Sequence, residues 1–287
     1  MAANILVLGA LGNAGAEVVK ALQAQGASVR AGDLFPEKAR ERFGRGVEVA
    51  AFDFGNPATY PAALQGIERV FLLRPPQIAD VKRCLFPAID AAKAAGVKHC
   101  VFLSLIGIEQ NRVVPHYKVE QYLKASGLDY TFLRCSFFMQ NLNTTHRAEI
   151  RDLDEIYIPV GKARTSFIDV RDIGAAAAAV LTQAGHENQA YDLTGPEALD
   201  YYEVADLFTK ELGRKITYRN PSLAAFFVRQ MRQRPLMFAL VTTWLYANTR
   251  SGMAAQVTNT VRRITGREPI CMEQYIRDYR NCWVKSE

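Results

Sequence analysis

Seven residues near the amino terminus, Gly9-Ala10-Leu11-Gly12-Asn13-Ala14-Gly15, constrain this chain more than any other stretch of its sequence. They lie between an apolar run, Ile5 to Leu8, and an amphipathic segment, Ala14 to Gln25, that carries Val18, Val19 and Leu22 on one face. A strand that turns through glycines into a helix offers backbone amides at the positive end of the helix. A nucleotide pyrophosphate reaches those amides only where side chains are absent. Gly9 and Gly12 leave that space, and Gly15 lets the helix pack against the strand. Gly9, Leu11, Gly12, Asn13 and Ala14 are therefore the expected contacts of a dinucleotide.

A glycine pattern alone is weak, but here an acidic residue stands where the motif needs one. Asp33, eighteen positions after Gly15, ends the next predicted strand. A carboxylate there accepts hydrogen bonds from the adenosine ribose hydroxyls and repels a 2′-phosphate. Leu34 follows, at the place that often supplies an arginine for NADP. NAD is expected over NADP, an expectation that Arg30 or Lys38 folding over a 2′-phosphate would reverse.

The next hundred residues alternate. Strand-like runs at Ser28–Gly32, Val47–Phe52, Val70–Leu73, Cys100–Ser104 and Asp129–Arg134 are separated by helical patterns at Pro36–Phe43, Tyr60–Leu64, Val81–Ala95 and His116–Ser126. This rhythm predicts an α/β fold, a doubly wound parallel sheet of the Rossmann type with right-handed crossovers. Residues at the carboxyl ends of its strands should line the ligand cleft. Asp53 and Phe54 are placed to flank adenine, and Leu73 and Arg74 to line the middle of the cofactor; Pro75-Pro76 alone also reads as a stiff turn.

After Phe137 the rhythm loosens. Thr165–Val170 reads as a strand, Ile173–Leu181 as a helix, Ala190–Leu193 as a strand and Tyr201–Leu212 as a helix stopped by Gly213. Ser222–Arg263 reads as helical with large apolar and aromatic residues. The expected organisation is a dinucleotide-binding domain over 1–150, completed by segments near 163–195. A smaller, mostly helical substrate-side region over 196–287 would cover the carboxyl edge of the sheet.

Composition narrows the class. Of 287 residues, 49% are hydrophobic and 22% charged, which suits a sizeable core and argues against disorder. The net charge of +6 is spread along the chain, so nucleic acid is not an expected partner. Five cysteines without CxxC spacing suit neither a disulfide framework nor a metal site; they suit free thiols and a cytoplasmic location. The near-immediate entry into a strand leaves no signal peptide to expect. The apolar stretch Leu236–Ala247 is too short to span a bilayer and reads as a buried or substrate-covering helix.

Several further segments carry a resemblance. They include Val29-Arg30-Ala31, Pro36-Glu37-Lys38-Ala39, Phe71-Leu72-Leu73-Arg74-Pro75-Pro76 and His116-Tyr117-Lys118-Val119-Glu120. Others are Ser126-Gly127-Leu128-Asp129-Tyr130-Thr131-Phe132-Leu133-Arg134, Phe137-Phe138-Met139-Gln140-Asn141 and Thr194-Gly195-Pro196-Glu197-Ala198. With the glycine turn, they make the chain resemble the NmrA-like group of atypical short-chain dehydrogenases/reductases over nearly its whole length. That group ranges from NAD(P)H-dependent reductases of quinones or dyes to redox-sensing regulators that bind the nucleotide, and a protein partner, without turning it over. The resemblance thus implies NAD or NADP as ligand more firmly than it implies a reaction on a small-molecule acceptor.

Short-chain dehydrogenases usually pair a tyrosine with a lysine four residues on, the lysine lowering the tyrosine pKa for proton exchange with a carbonyl. No tyrosine of this chain has a lysine at that spacing. Alignment on Glu120 puts His116 at the lysine position and Arg112 at the tyrosine position. Tyr117-Lys118 is no substitute, since adjacent helical residues point about 100° apart. His116, one turn before Glu120, is a candidate to bond the nicotinamide ribose or relay a proton; equally, it reads as a helix-start histidine held by Glu120. Ser104, at the end of the fifth strand, is a candidate to bond a substrate oxygen, or a plain strand-terminal serine. Phe137, with Phe138 and Met139, would wall the nicotinamide or simply fill a core. Trp244, Tyr246, Phe226 and Phe227 read as a lid over an aromatic acceptor or as packing. Direct hydride transfer to a quinone needs alignment and exclusion of water more than a proton donor, so the missing pair leaves such a reaction open.

Overall fold

In the computed structural model, residues 3–250, 252 and 254–285 are described. They fall into two units through which the chain passes more than once. The first comprises Met1–Cys135, Val170–Leu193 and Thr260–Arg267, and the second Ser136–Asp169, Thr194–Asn259 and Glu268–Glu287.

The first unit is built on β1 (Ile5–Leu8), α1 (Asn13–Ala24), β2 (Val29–Asp33), α2 (Pro36–Phe43), β3 (Glu48–Ala51), α3 (Tyr60–Leu64), β4 (Arg69–Leu72), α4 (Val81–Ala94), β5 (His99–Leu105), α5 (Pro115–Ser126) and β6 (Asp129–Cys135). In the second unit the chain forms α6 (Arg147–Leu153) and the short β7 (Glu155–Ile156). It returns to the first as α7 (Val170–Thr182) and β8 (Gln189–Leu193). The second unit then gains α8 (Tyr201–Leu212), β9 (Thr217–Tyr218), α9 (Leu223–Gln233) and α10 (Leu236–Thr249). Finally α11 (Thr260–Thr265) joins the first unit and α12 (Met272–Asp278) the second.

Seven strands form one sheet in the order β3-β2-β1-β4-β5-β6-β8, every pairing parallel. Strand β1 is buried along its whole length, as a central parallel strand covered on both faces must be. Helices α1 and α7 pack together, and α3, α4 and α5 pack in series. Leu6, Leu8, Phe102 and Phe132 from the sheet share a core with Leu64, Leu85, Ile89, Val119 and Leu123 from that series. The strand order reverses between β1 and β4. Their following loops diverge there and open the crevice in which doubly wound sheets bind ligands.

The second unit has its own core, in which Trp283, Tyr275 and Phe208 meet edge to face. A two-stranded parallel pair, β7 with β9, braces it.

Three expectations are corrected. Thr165–Val170 is not a strand: Thr165 bridges only Leu199, Ile168 bridges only Phe138, and α7 already begins at Val170. The region 222–263 is not one helical stretch. Pro235 separates α9 from α10, and Arg234 before it is extended, as a residue preceding proline tends to be. The chain beyond Thr249 is not helical again until Thr260; positions 251 and 253 lie outside the described residues. Nor is the apolar helix buried: of α10 only Ala239, Tyr246 and Thr249 are, while Leu236, Met237, Leu240, Val241 and Trp244 face outward. Among the described residues, no helix is long and apolar enough to cross a membrane, and no cluster of His, Cys, Asp or Glu side chains is arranged to hold a metal.

Candidate dinucleotide site at the carboxyl ends of the strands

The glycine turn is held in a conformation that side chains would prevent. Gly9 has φ +68°, and a Cβ there would stand 2.9 Å from the Leu73 side chain. A Cβ on Gly15 would come within 2.2 Å of the Gly9 carbonyl oxygen, so α1 reaches the turn only as glycine. Gly9 and Ala10 donate their amides to the Gly32 carbonyl, tying the turn to β2. Helix α1 begins with Gly12 at its N-cap, no side-chain cap and no acid in its first turn. The first amides of that helix therefore have no partner within the helix and point outward. Absent side chains and uncapped amides fit a dinucleotide pyrophosphate.

Asp33 sits at the end of β2, where the sequence puts it. Its Oδ2 accepts from the Leu11 amide at 3.0 Å and its Oδ1 from the Phe35 amide at 3.3 Å. Leu34 beside it is 57% exposed. Three cations of β2 and α2 have partners. Arg30 binds Glu48 at 2.8 Å and donates to the carbonyls of Ala63 and Gln65. Lys38 lies over the Phe35 ring, and Arg42 donates to the Leu11 carbonyl at 2.9 Å. Arg42 has no signal in the sequence; only the packing of α2 brings it to the glycine turn.

The other strand ends are less alike. Asp53 is half-buried and folds its Oδ1 onto the Gly55 amide at 2.8 Å. Phe54 is buried edge to face with Phe52. Leu73 closes against Gly9. Arg74 curls back, its Nη1 donating to the carbonyls of Pro75, Pro76 and Ile78 at 3.2, 3.3 and 2.7 Å.

Ser104 and Glu120 are neighbours through parallel register. Strand β5 pairs with β6 so that Ser104 lies beside Arg134, and Glu120 of α5 is received between them. Ser104 Oγ donates to Glu120 Oε1 at 2.6 Å, and Arg134 holds both carboxylate oxygens at 3.0 and 2.7 Å. Glu109 also pairs with Arg134. Burial pushes the Glu120 carboxyl up, opposed by the Ser104 hydroxyl and by Lys124.

The reading of His116 as held by Glu120 is corrected, since that carboxylate is occupied by Ser104 and Arg134. His116 is 8% exposed in the first turn of α5, its ring tilted against Phe102 with centroids 5.9 Å apart. Its Nδ1 has no hydrogen-bond partner among the described residues. Burial, helped by the charge of Arg74, pulls its pKa down to about 3. His116 is thus a neutral imidazole at ordinary pH.

Phe137 belongs to the second unit. It is half-buried beside Tyr246, ring centroids 6.4 Å apart. Tyr246 is a buried hub there. Its hydroxyl meets His146 Nε2 at 2.8 Å, and His146 Nδ1 meets Glu149 at 2.9 Å. Phe226 packs edge to face against the same ring. The sequence singled out Tyr246 and Phe226 but not His146, whose neighbours Thr145 and Arg147 mark no motif.

The profile of the NmrA-like family matches residues 1–247. The chain belongs to the NmrA-like family. An NAD(P)H azoreductase of Xenophilus azovorans is 39% identical to this NmrA-like chain over 273 residues, 92% of the chain and 93% of that protein. Quinone oxidoreductase 2 of Escherichia coli is 31% identical over 231 residues, 77% of the chain and 79% of that protein. The crystal structure of the latter, an NADPH-dependent enzyme complexed with NADPH, superposes with a TM-score of 0.86, covering 96% of this chain and 100% of that one.

Proposed function

We propose that this NmrA-like chain is an NAD(P)H-dependent oxidoreductase that reduces a quinone or a similar planar acceptor. The carrying observation is the glycine turn, opened by Gly9 and Gly15 and bonded through Leu11 to Asp33. It is supported by a relative named as an NAD(P)H azoreductase and by the NADPH-dependent quinone oxidoreductase of Escherichia coli, whose structure holds NADPH.

The reduced nicotinamide, when bound, supplies the hydride. The rest falls to the chain. Amides at the start of α1, with Gly9, Leu11, Gly12, Asn13 and Ala14, receive the pyrophosphate. Asp33 and Leu34 flank the adenosine ribose, Asp53 and Phe54 the adenine side, and Leu73 and Arg74 the middle. Ser104 acts as a positioning residue, fixing Glu120 beneath the first turn of α5. His116 serves as a hydrogen-bonding group, since a neutral imidazole with so low a pKa makes a poor proton relay. NADH is preferred over NADPH, because Asp33 presents negative charge and Arg30, Lys38 and Arg42 are engaged elsewhere.

Steady-state oxidation of NADH and NADPH in the presence of benzoquinone, menadione and an azo dye tests the proposal. Acceptor-dependent oxidation, faster with NADH at low concentration, is the expected result. Tight nucleotide binding with no turnover across the panel would instead favour a nucleotide-sensing regulator.

A further inference from the structure

Helix α10 carries no charged residue and turns most of its large apolar side chains away from the protein. Leu236, Leu240 and Trp244 form one outward row, and Met237, Val241 and Leu245 form a second beside it. Successive members of each row are four residues apart, so they stack along one side of the helix. Helix α9 packs against α10 and likewise exposes Val228 and Met231. Scattered apolar side chains on a surface are ordinary, but a contiguous face rimmed by polar groups marks a place of interaction. Each row runs about 12 Å along the helix, longer than one flat aromatic molecule covers.

Charge decides what fits this face. Between Glu211 and Glu268 the chain has no acidic residue. Arg229 is paired with Glu149 and Glu155 from other segments. Arg232 in the last turn of α9, Arg234 in the turn after it and Arg250 at the C-cap of α10 are exposed, and none of them has a carboxylate partner among the described residues. The Arg234 guanidinium lies over the Phe238 ring, which ties a cation to the apolar helix. We infer that the α9–α10 hairpin is an anchor that seats this protein on the surface of a bilayer carrying anionic phospholipids. Its two apolar rows enter the boundary of the acyl chains, Trp244 sits at the level of the headgroups, and the three arginines meet phosphate groups. A second copy fits less well. Arginines stand at both ends of α10, so a copy laid along it in either direction sets arginine against arginine. Fourteen residues reach about 21 Å, short of the roughly 30 Å hydrocarbon core, so the helix lies along the surface and does not cross it. The inference does not depend on the reductase reading.

The test is sedimentation of the full chain with vesicles of phosphatidylcholine alone or mixed with phosphatidylglycerol, followed by tryptophan fluorescence. Wild type is expected to sediment with the mixed vesicles, less with phosphatidylcholine alone, and less again when salt is added. Emission should shift to the blue on binding. The shift should vanish in Trp244→Phe, because Trp283 is already fully buried. Met237→Ser combined with Val241→Ser should weaken vesicle binding by about tenfold or more, as losing two buried apolar side chains predicts. Arg232→Gln combined with Arg234→Gln should weaken it by about tenfold on mixed vesicles and leave binding to phosphatidylcholine alone unchanged. All four positions face solvent, so the variants should melt like wild type. Failure of wild type to sediment with mixed vesicles would overturn the inference, as would full binding by the double serine variant. Concentration-dependent dimers that the double serine variant loses, without vesicle binding, would overturn it in favour of a second copy. A Trp244 shift with menadione but not with vesicles would overturn it in favour of a lid over the acceptor.

Discussion

The carboxylate of Asp33 is bonded to the glycine turn it faces, Leu11 donating its amide to Asp33 Oδ2 at 3.0 Å. One residue thereby sets the shape of the turn and presents negative charge beside it. The end of β2 and the loop after β1 become a single rigid edge, held from the other side by Arg42 on the Leu11 carbonyl.

Asp33→Asn keeps an oxygen for the Leu11 amide and removes the charge. It should leave the fold intact and tighten NADPH binding about tenfold, some 1.4 kcal/mol, relative to NADH. Parallel titrations of both nucleotides check this; an unchanged ratio would remove Asp33 from the discrimination.

Gly15→Ala forces a Cβ against the Gly9 carbonyl oxygen, which backbone cannot easily yield. A loss of about 1–3 kcal/mol of stability is expected, together with weakened nucleotide binding. Denaturant unfolding with and without NADH measures both. A variant as stable as wild type would show that α1 does not need this close approach.

His116 provides a pH signature. Its folded-state pKa, about 3, lies below the ordinary histidine value of 6.5. The unfolded chain therefore binds the proton first, and the stability this residue contributes is full above pH 6.5 and is lost as pH falls toward 3. In that window wild type should lose up to about 1.4 kcal/mol per pH unit that His116→Gln does not. Melting curves of the two proteins should converge in that window as the pH falls; parallel curves would mean that His116 titrates normally.

In the second unit, His146 joins Tyr246 to Glu149. His146→Ala strands two buried groups and should cost about 2 kcal/mol or more, whereas Tyr246→Phe should cost about 1 kcal/mol. The double variant should fall short of the sum, because both changes break one bond. Additive losses, measured by urea unfolding, would mean that the hydroxyl and imidazole act independently.

Much of this was legible in the sequence, for a physical reason. Strands β1, β4, β5 and β6 are fully or mostly buried, so they read as largely apolar runs, and helices such as Pro36–Phe43, Tyr60–Leu64 and Tyr201–Leu212 begin and end where proline, spacing and Gly213 say they must. The Gly9–Asp33 edge was legible because its chemistry is carried by backbone and by one carboxylate. Thr165–Val170 misled because its β-branched residues suit an extended chain, but Thr165 and Ile168 each find only one bridging partner. Helix α10 misled because an apolar stretch ordinarily implies burial, and Met237 is 66% exposed. The clasp of Arg134 on Glu120 depends on strand register and could not be read from spacing, and Arg42 reaches Leu11 from thirty-one residues away.

The most direct test of the central claim is calorimetric titration of the intact chain with NADH, NADPH, NAD and NADP. One site per chain, with NADH bound more tightly than NADPH, is the predicted result. Heats of dilution alone for all four nucleotides would contradict the assignment of the glycine turn as a dinucleotide site.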